Sequence, residues 1–395
     1  MRKSIAVCGI LCACAGPLAA RDINLDAVYL TATSPRYARL LDDKVEAYRS
    51  AGAYCVAGDV AFAQWLDGYT IAFVREVQGV NILLTYNRRT RRTEECYRCD
   101  GTVTGFRAGA SGRYVYLKRM TAASGVTKGE TIAFDITRKK AAALPSGYLF
   151  IDFSVVPGTD AILMQGDEGL IEYHPETGRR SLVVKKNEYS SIEQAGGIVV
   201  GYTSPNRQKM LLVGGSGGSY RALLRTADGV RPLPRVTSAT EIAWLDNDRI
   251  VFRSGSTGGY AVTIYRVSDG KSRDFVTHSL NTNITFSLYP KLLTCLNNQL
   301  ITIYDVRKDT WMETGLEGED VAFTPDGTWC SAIFLKQLFI MNINTVAKKR
   351  LEIAVVGRRI HDTYRQLLES RRDHRNTYSA WYIKRKIESY RAFIE

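Results

Sequence analysis

One strand followed by a polar turn recurs seven times along the 395-residue chain, for example at residues 83–90 and 170–178. Successive copies lie 37 to 51 residues apart when they are aligned at Tyr86, Phe134, Tyr173, Leu224, Tyr265, Tyr304 and Met341. Spacings of this length are typical of four-stranded propeller blades. The repeat therefore predicts an all-β fold, a seven-bladed β-propeller of four-stranded antiparallel blades, over residues 55–355.

The composition of the copies explains why they should stack into a ring. Both faces of the recurring strand are apolar, as in residues 300–304, which read Leu-Ile-Thr-Ile-Tyr. A sheet that is apolar on both faces needs a neighbour on each side, and radial stacking supplies one while leaving only short edges exposed. Asp-Gly pairs at residues 228–229 and 269–270 follow the strand and favour tight hairpin turns.

Residues 322–328, which read Ala-Phe-Thr-Pro-Asp-Gly-Thr, precede the seventh copy. This segment resembles the strand and Ser-Pro-Asp-Gly turn of the WD40-like repeats in TolB-type periplasmic propellers. The resemblance implies membership of that propeller superfamily, whose members mostly act as protein-interaction platforms. The chain has no obvious counterpart of the N-terminal domain of TolB, so TolB's particular role is not implied.

The first twenty residues predict export. Arg2 and Lys3 precede an apolar run at residues 5–15, and Gly-Pro and small residues follow it, as in a secretory signal peptide over residues 1–20. Alternatively, Leu11-Cys12-Ala13-Cys14 resembles a loose lipobox, in which Cys14 would carry a lipid anchor. Both alternatives predict a periplasmic or envelope-associated protein. No other segment reaches the length of a transmembrane helix.

Helical patterns flank the repeats. In an N-terminal extension over residues 21–54, apolar residues follow helical spacing from Pro35 to Ser50, after a Ser34 cap. A basic, aromatic helical segment is predicted over residues 356–395. Its apolar stripe is either a surface for a partner or a membrane, or ordinary core packing.

The chain has 53 basic and 40 acidic residues, a net charge of +13. Basic side chains recur in the turn after the repeated strand, at Arg88, Arg89, Arg91, Arg92, Arg138, Lys139, Lys140, Arg179, Arg180, Lys271, Arg273, Arg307 and Lys308, and then at Lys348, Lys349 and Arg350. Equivalent turns of a propeller lie on one rim. We therefore expect a basic rim that docks onto an anionic membrane or envelope polymer. The alternative is a set of solvated turns that protect sheet edges. Export argues against a nucleic acid partner.

Signals for catalysis, metals and cofactors are weak. The four histidines, His174, His278, His361 and His374, form no HExxH pattern, and no GxSxG nucleophile motif is present. The Gly-rich segment 214–219 lacks the Lys-Ser/Thr of a phosphate loop. Cys96 and Cys99 form a CxxC motif, but residues three apart on a strand point to opposite faces. No catalytic residue, metal or cofactor is therefore predicted.

The sequence favours an exported, non-catalytic propeller scaffold that binds a protein partner in the periplasm or cell envelope. One alternative is a propeller enzyme or small-ligand receptor whose site lies at the central channel, where loops of several blades converge. A second alternative is a binder of anionic surfaces or polymers through the basic rim.

Overall fold

The computed structural model describes residues 35–123, 126–144, 153–193, 198–216, 219–233, 242–256, 259–278, 285–289, 292–297, 300–305, 308–369 and 377–395. The predicted signal peptide, the lipobox residue Cys14, the helix cap Ser34, the rim residue Arg307 and His374 lie outside these residues.

Within the described residues, the chain begins with helix α1 (Pro35–Ser50), whose bounds confirm the predicted helix. Twenty-eight strands follow. The first sheet contains β2 (Val60–Trp65), β3 (Thr70–Val77), β4 (Val80–Asn87) and β5 (Arg92–Cys99), and the second contains β6 (Thr102–Ala108), β7 (Tyr114–Ala123), β8 (Val126–Asp135) and β9 (Lys140–Ala143). The third contains β10 (Ser154–Val155), β11 (Ile162–Gln165), β12 (Gly169–Tyr173) and β13 (Arg180–Lys185), and the fourth contains β14 (Ile198–Thr203), β15 (Met210–Ser216), β16 (Ser219–Thr226) and β17 (Gly229–Leu233). The fifth contains β18 (Ile242–Trp244), β19 (Arg249–Ser256), β20 (Gly259–Arg266) and β21 (Ser272–His278).

The sixth sheet contains β22 (Thr285–Tyr289), β23 (Leu292–Asn297), β24 (Leu300–Asp305) and β25 (Thr310–Glu317). The seventh contains β26 (Glu319–Phe323), β27 (Trp329–Phe334), β28 (Gln337–Asn342) and, from the N-terminal side, β1 (Tyr54–Ala57). A short 3-10 helix (Lys186–Tyr189) and helix α2 (Ser190–Glu193) follow β13. Helices α3 (Ile343–Lys348), α4 (Arg350–Glu369) and α5 (Thr377–Ile394) end the chain. None of the helices in the described ranges has the length and apolar character needed to cross a bilayer.

The predicted propeller of four-stranded antiparallel blades, with helices at the C-terminal side, is confirmed. Six blades are counted in the propeller, one fewer than predicted. The hydrogen-bonded strands of the described residues nevertheless form seven four-stranded sheets. The recurring strand of the sequence is the third strand of every sheet, at β4, β8, β12, β16, β20, β24 and β28. The repeat therefore marks one structurally equivalent position throughout the ring.

The N-terminal strand β1 completes the seventh sheet by pairing with β28. Tyr54 faces Ile340 and Cys55 faces Phe339 in this pairing. Because β1 supplies the fourth strand, no hairpin turn follows β28, and the chain enters helix α3 instead. The prediction that Lys348, Lys349 and Arg350 lie in such a turn is therefore wrong. They lie where α3 ends and α4 begins.

Side chains join neighbouring sheets close to their first strands. The Asp320 carboxylate of the seventh sheet accepts a hydrogen bond from the Ala63 amide of the first sheet, at 2.9 Å. Gln64 of the first sheet accepts one from the Ala108 amide of the second sheet, at 2.7 Å. Gln165 of the third sheet accepts one from the Val199 amide of the fourth, at 2.9 Å. These bonds satisfy backbone donors where sheets meet and fix the order of the sheets.

The turn that resembles the TolB-type repeat has a second copy that the sequence reasoning missed. In the seventh sheet, Thr324 Oγ1 accepts from the Trp329 amide at 3.0 Å, and the Gly327 amide donates to the Thr324 carbonyl at 2.8 Å. Ser204 makes the same two contacts in the fourth sheet, with the amides of Lys209 at 2.9 Å and Arg207 at 2.8 Å. The Ser-Pro-Asn of residues 204–206 was the signal available for this turn.

Helices α1, α4 and α5 pack together and onto β25, the outermost strand of the sixth sheet. We call these three helices the cap. Their apolar faces share one core with both the sixth and seventh sheets, which contains Leu40, Ile353, Ile383, Phe339 and Met341 among others. Gly315 on β25 has a φ of +69°, and a Cβ there would lie 2.4 Å from the ring of Phe393 on α5. The cap thus covers an outer sheet edge that would otherwise be open.

Candidate functional site

The structure places the predicted basic rim on the turns that join the third and fourth strands. Arg88, Arg89 and Arg91 lie between β4 and β5, and Arg92 begins β5. Arg138 and Lys139 lie between β8 and β9, and Lys140 begins β9. Arg179 and Arg180 follow β12, Lys271 and Arg273 follow β20, and Lys308 follows β24. These turns are equivalent in the repeat, so the residues share one side of the propeller.

Carboxylates beside the rim neutralise part of its charge. Lys139 pairs with Glu94. Other pairs join Arg138 to Asp135 at 4.0 Å, Lys271 to Asp269 at 3.7 Å, Arg273 to Asp309 at 3.5 Å and Lys308 to Asp305 at 3.6 Å. Exposed pairs of this kind leave little net field, because each cation has an anion beside it.

Two arginines of the first sheet, the half-buried Arg88 and the exposed Arg89, lie over aromatic rings. The Arg88 guanidinium lies 4.7 Å from the ring centre of Tyr69 and 4.4 Å from that of Trp329. Its Nε also donates to the Gly68 carbonyl at 3.0 Å. Arg89 lies 4.2 Å from the Tyr69 ring. These cations are held in place by cation–π contacts, which makes them part of the local packing.

Four rim cations are exposed and make neither an ion pair nor a contact with an aromatic ring within the part of the chain that the structure describes: Arg91, Arg92, Lys140 and Arg179. They belong to the first, second and third sheets. Among the described rim residues, the free positive charge therefore forms an arc on three neighbouring sheets.

Beneath the cap lies a buried cluster of charged and phenolic groups. Glu317, the last residue of β25, accepts hydrogen bonds at Oε2 from Lys44 Nζ and from Lys386 Nζ, both at 2.8 Å. The side chains of Lys44 and Glu317 are each 1% exposed, and that of Lys386 is 0% exposed. One carboxylate thus joins α1 and α5 to the propeller.

Three tyrosines complete this cluster. The Tyr390 hydroxyl donates to Glu317 Oε1 at 2.9 Å, and the Tyr48 hydroxyl donates to the Glu317 carbonyl at 2.6 Å. Lys44 Nζ also donates to the Tyr364 hydroxyl at 2.8 Å. Burial, with smaller electrostatic effects of Cys330 and Glu317, raises the pKa of Tyr48 well above its usual value, so its hydroxyl remains a donor. The cluster anchors all three cap helices to one residue of the propeller.

The sequence reasoning missed this buried cluster, although the signal was present. Lys44 falls on the same helical stripe as Leu40 and Tyr48, and Lys386 falls on that of Ile383 and Tyr390. A charged residue at an apolar stripe position must find a buried partner. The partner, Glu317, lies in a strand far away along the chain, and nothing in its local sequence marks it.

The outer face of α4 exposes two aliphatic side chains one turn apart. Leu351 is 82% exposed and Val355 is 57% exposed, the highest values among the large apolar residues that the structure describes. Ile353, Val356 and Ile360 on the opposite face are buried in the cap core. Packing within the cap therefore accounts for one face of α4 and leaves Leu351 and Val355 without a role in folding.

The histidine and cysteine side chains that the structure describes are not grouped into a metal site. Within the described ranges no three His, Cys, Asp or Glu side chains are grouped to hold a metal. His174 lies 3.2 Å from Glu172, and His361 lies 3.1 Å from Asp362. Cys96 and Cys99 are both free thiols, as are Cys55 and Cys330. Burial raises the pKa of the Cys96 and Cys99 thiols, which lowers their reactivity.

No protein-family model and no curated protein matches the sequence. Similar solved structures include hydrazine synthase of Kuenenia stuttgartiensis, at 12% identity over 73% of this chain and 96% of that chain, with a TM-score of 0.50. Oligogalacturonate lyase of Vibrio parahaemolyticus matches at 9% identity over 74% of this chain and 93% of that chain, with a TM-score of 0.50. TolB of Acinetobacter baumannii matches at 15% identity over 56% of each chain, with a TM-score of 0.40.

At these identities the likeness shows the fold alone. The β-propeller fold that the repeat and the turn at residues 322–328 predict is confirmed. Because propellers of this kind include binding proteins and enzymes, the function has to be argued from the surfaces of this chain.

Proposed function

We propose that this chain is an exported, non-catalytic β-propeller scaffold that binds a protein partner in the periplasm or cell envelope. Export would follow from the signal peptide over residues 1–20, or from lipidation at Cys14. All seven sheets would act as blades of one closed ring, with β1 and β28 as the closing pair. The ring and the anchored cap would together form a rigid platform.

The exposed pair Leu351 and Val355 carries this proposal. Full burial of a Leu or Val side chain is favourable by about 1.5–3 kcal/mol. A partner that covers both residues would therefore gain binding free energy from their burial. Single exposed apolar residues are common, but two on adjacent turns of one helix form a contiguous patch. Because Glu317 fixes the cap to the propeller, the patch is held in place before binding.

Affinity capture from the native envelope tests the proposal. The full chain serves as bait in three forms: wild type, Leu351→Ser/Val355→Ser, and the control Leu182→Ser/Val230→Ser, which removes two exposed aliphatic side chains from β13 and β17. We expect one protein to be enriched by wild type and by the control, and to fall at least about fivefold with the first variant. Equal recovery with all three baits would refute the proposal.

The unpaired rim cations favour a second candidate function, the binding of an anionic membrane or envelope polymer. Arg91, Arg92, Lys140 and Arg179 lie on neighbouring sheets, so their fields add over one part of the rim. Cosedimentation with phosphatidylglycerol-containing vesicles at low and high salt tests this function. We expect binding at low salt and its loss at high salt. No binding at low salt would end this candidate.

A further inference from the structure

The exposed face of α4 carries a pattern of charge as well as the apolar pair. Leu351, Val355, Arg358, Asp362 and Arg365 follow one another at steps of four, three, four and three residues, and all five are exposed. This alternation keeps side chains on one stripe of a helix and is the spacing with which a second helix packs alongside. Arg358 and Arg365 make no ion pair within the described residues.

We infer that this stripe is the docking site for an acidic amphipathic helix of the protein partner. The inference rests on the proposed function and adds the chemistry of the partner. Apolar residues of the incoming helix would cover Leu351 and Val355, and its Asp or Glu side chains would lie beside Arg358 and Arg365. Asp362 separates the two arginines and disfavours an acidic residue directly opposite itself, which would set the register of the incoming helix.

Charge argues against a second copy of this chain as the occupant. An antiparallel pair of α4 helices centred between Leu351 and Val355 would carry Arg358 and Arg365 of each copy past the start of the other α4, where that helix supplies no carboxylate. A parallel pair would bring Arg358 toward its own equivalent. The parallel arrangement places like charges across the contact, which is destabilising, and the antiparallel one leaves the arginines without acidic partners. A partner with the opposite charge pattern avoids this repulsion.

The width of the apolar stripe argues against a membrane as the occupant. Interfacial helices bury a broad apolar face that often carries aromatic anchors. Here the stripe presents two aliphatic residues, and Glu352 and Asp362 are exposed beside or within it. An anionic lipid surface would repel both carboxylates, whereas a partner helix can place its own side chains to avoid them.

Photocrosslinking in the native host tests the inference with the full chain. A photoreactive amino acid replaces Leu351, and the same replacement at Leu182 on β13 serves as the control position. We expect crosslinks from position 351 to a segment of another protein in which apolar residues at helical spacing are flanked by Asp or Glu. Crosslinks to lipid, to a second copy, or to a segment without acidic residues would overturn the inference.

Charge reversal separates this inference from the proposed function. Arg358→Glu/Arg365→Glu should lower the crosslinking yield at position 351 at least about fivefold. The control Lys384→Glu/Arg391→Glu makes the same charge change on exposed positions of α5 and should leave the yield unchanged. If both double variants crosslink as well as wild type, the acidic helix is wrong while the scaffold function stands. If no protein is crosslinked from position 351 in any form, both fail.

Discussion

Lysine and carboxylate side chains meet in two regions of this protein, in the buried cluster under the cap and along the rim. Under the cap, Lys44 and Glu317 lie 2.8 Å apart and both side chains are 1% exposed. On the rim, Lys308 and Asp305 lie 3.6 Å apart and the lysine side chain is 72% exposed. The pairs have the same chemistry, but water screens only the second.

The two environments give these ion pairs different consequences. An exposed pair contributes about 0–1 kcal/mol, because water and salt screen it and both side chains lose freedom. A buried pair is costly to form, but removing one partner leaves an unpaired charge in the interior and costs about 3–5 kcal/mol. The buried cluster therefore controls whether the cap stays attached, whereas rim pairs are free to vary without disturbing the fold.

Removal of Glu317 should give the largest effect. Glu317→Ala leaves Lys44 and Lys386 buried without their shared carboxylate and should lower the free energy of unfolding by about 3–5 kcal/mol. Denaturant unfolding measures this change. The matched control Glu94→Ala removes the carboxylate of a rim pair and should cost less than about 1 kcal/mol. Equal losses of unfolding free energy in the two variants would mean that burial does not make the ion pairs under the cap contribute more to stability than those of the rim.

The reactivity of the Cys330 thiol shows whether the cap detaches in the Glu317→Ala variant before the propeller unfolds. Cys330 lies in the core shared by the cap and the propeller, and burial raises its pKa to about 12. Because the thiolate is the reactive form, native Cys330 should resist maleimide while exposed Cys55 is labelled. In Glu317→Ala, we expect Cys330 to become labelled below the denaturant concentration that unfolds the propeller. Continued protection would indicate that the cap remains attached.

Asp135 is intermediate between the buried cluster and the exposed rim pairs, because its side chain is buried although it lies at the edge of the rim. Although burial acts to raise the pKa of Asp135, hydrogen bonds from Arg113 and Thr137 outweigh it, so the pKa is lowered. The ionised carboxylate therefore stabilises the folded state above about pH 4, and this stabilisation is lost as pH falls through the lowered pKa. Asp135→Asn should cost about 2 kcal/mol at pH 7.

The pH dependence makes the Asp135 prediction specific. The difference in unfolding free energy between wild type and Asp135→Asn should shrink as the pH is lowered below about 4. Asp228 occupies the equivalent turn of the fourth sheet and is exposed, so Asp228→Asn should match wild type within about 0.5 kcal/mol. A loss for Asp135→Asn that is the same at pH 3 and pH 7 would contradict this account.

The contrast between rim and cap also explains what the sequence could predict. The strand that contains Tyr86 or Tyr304 is local, and so is the turn after it, which is why the recurring strand and its turn could be found from spacing alone. The contact of Glu317 with Lys44 spans 273 residues, and no local pattern encodes it. The β1 strand was missed for the same reason, since its partner β28 lies at the other end of the propeller.

The spacing of the repeat assigns the rim residues to their turns but does not reveal the contacts of their side chains. Spacing placed Arg88 and Arg91 on the same turn, but it could not tell that Arg88 stacks on Trp329 of another sheet while Arg91 stays exposed. Likewise, helical periodicity could have placed Lys44 on the buried stripe of α1, but only the tertiary fold supplies its carboxylate. Which charges are free and which are neutralised depends on contacts between distant segments.

Loss of one hydrogen bond in the buried cluster should have a moderate effect. Tyr48→Phe removes the donor to the Glu317 carbonyl and keeps the ring that stacks on Phe339 at 4.2 Å. The free energy of unfolding should fall by about 1 kcal/mol, because the ion pairs of Glu317 remain. Tyr69→Phe on the exposed side of the propeller is the control and should change it by less than about 0.5 kcal/mol. If Tyr48→Phe lowers the free energy of unfolding more than Glu317→Ala does, then Tyr48 rather than Glu317 is the main attachment of the cap.

Reversal of the free rim charges should have the smallest effect on stability. Arg91→Glu/Arg92→Glu changes two exposed side chains that make no ion pair in the described part of the chain, so the unfolding free energy should stay within about 0.5 kcal/mol of wild type. Vesicle cosedimentation at low salt should nevertheless fall, because the change removes two positive charges from the arc and adds two negative ones. Arg49→Glu/Arg391→Glu, with exposed positions on the cap, supplies the charge-matched control. If the rim and cap variants reduce vesicle binding equally, net charge rather than the rim determines it.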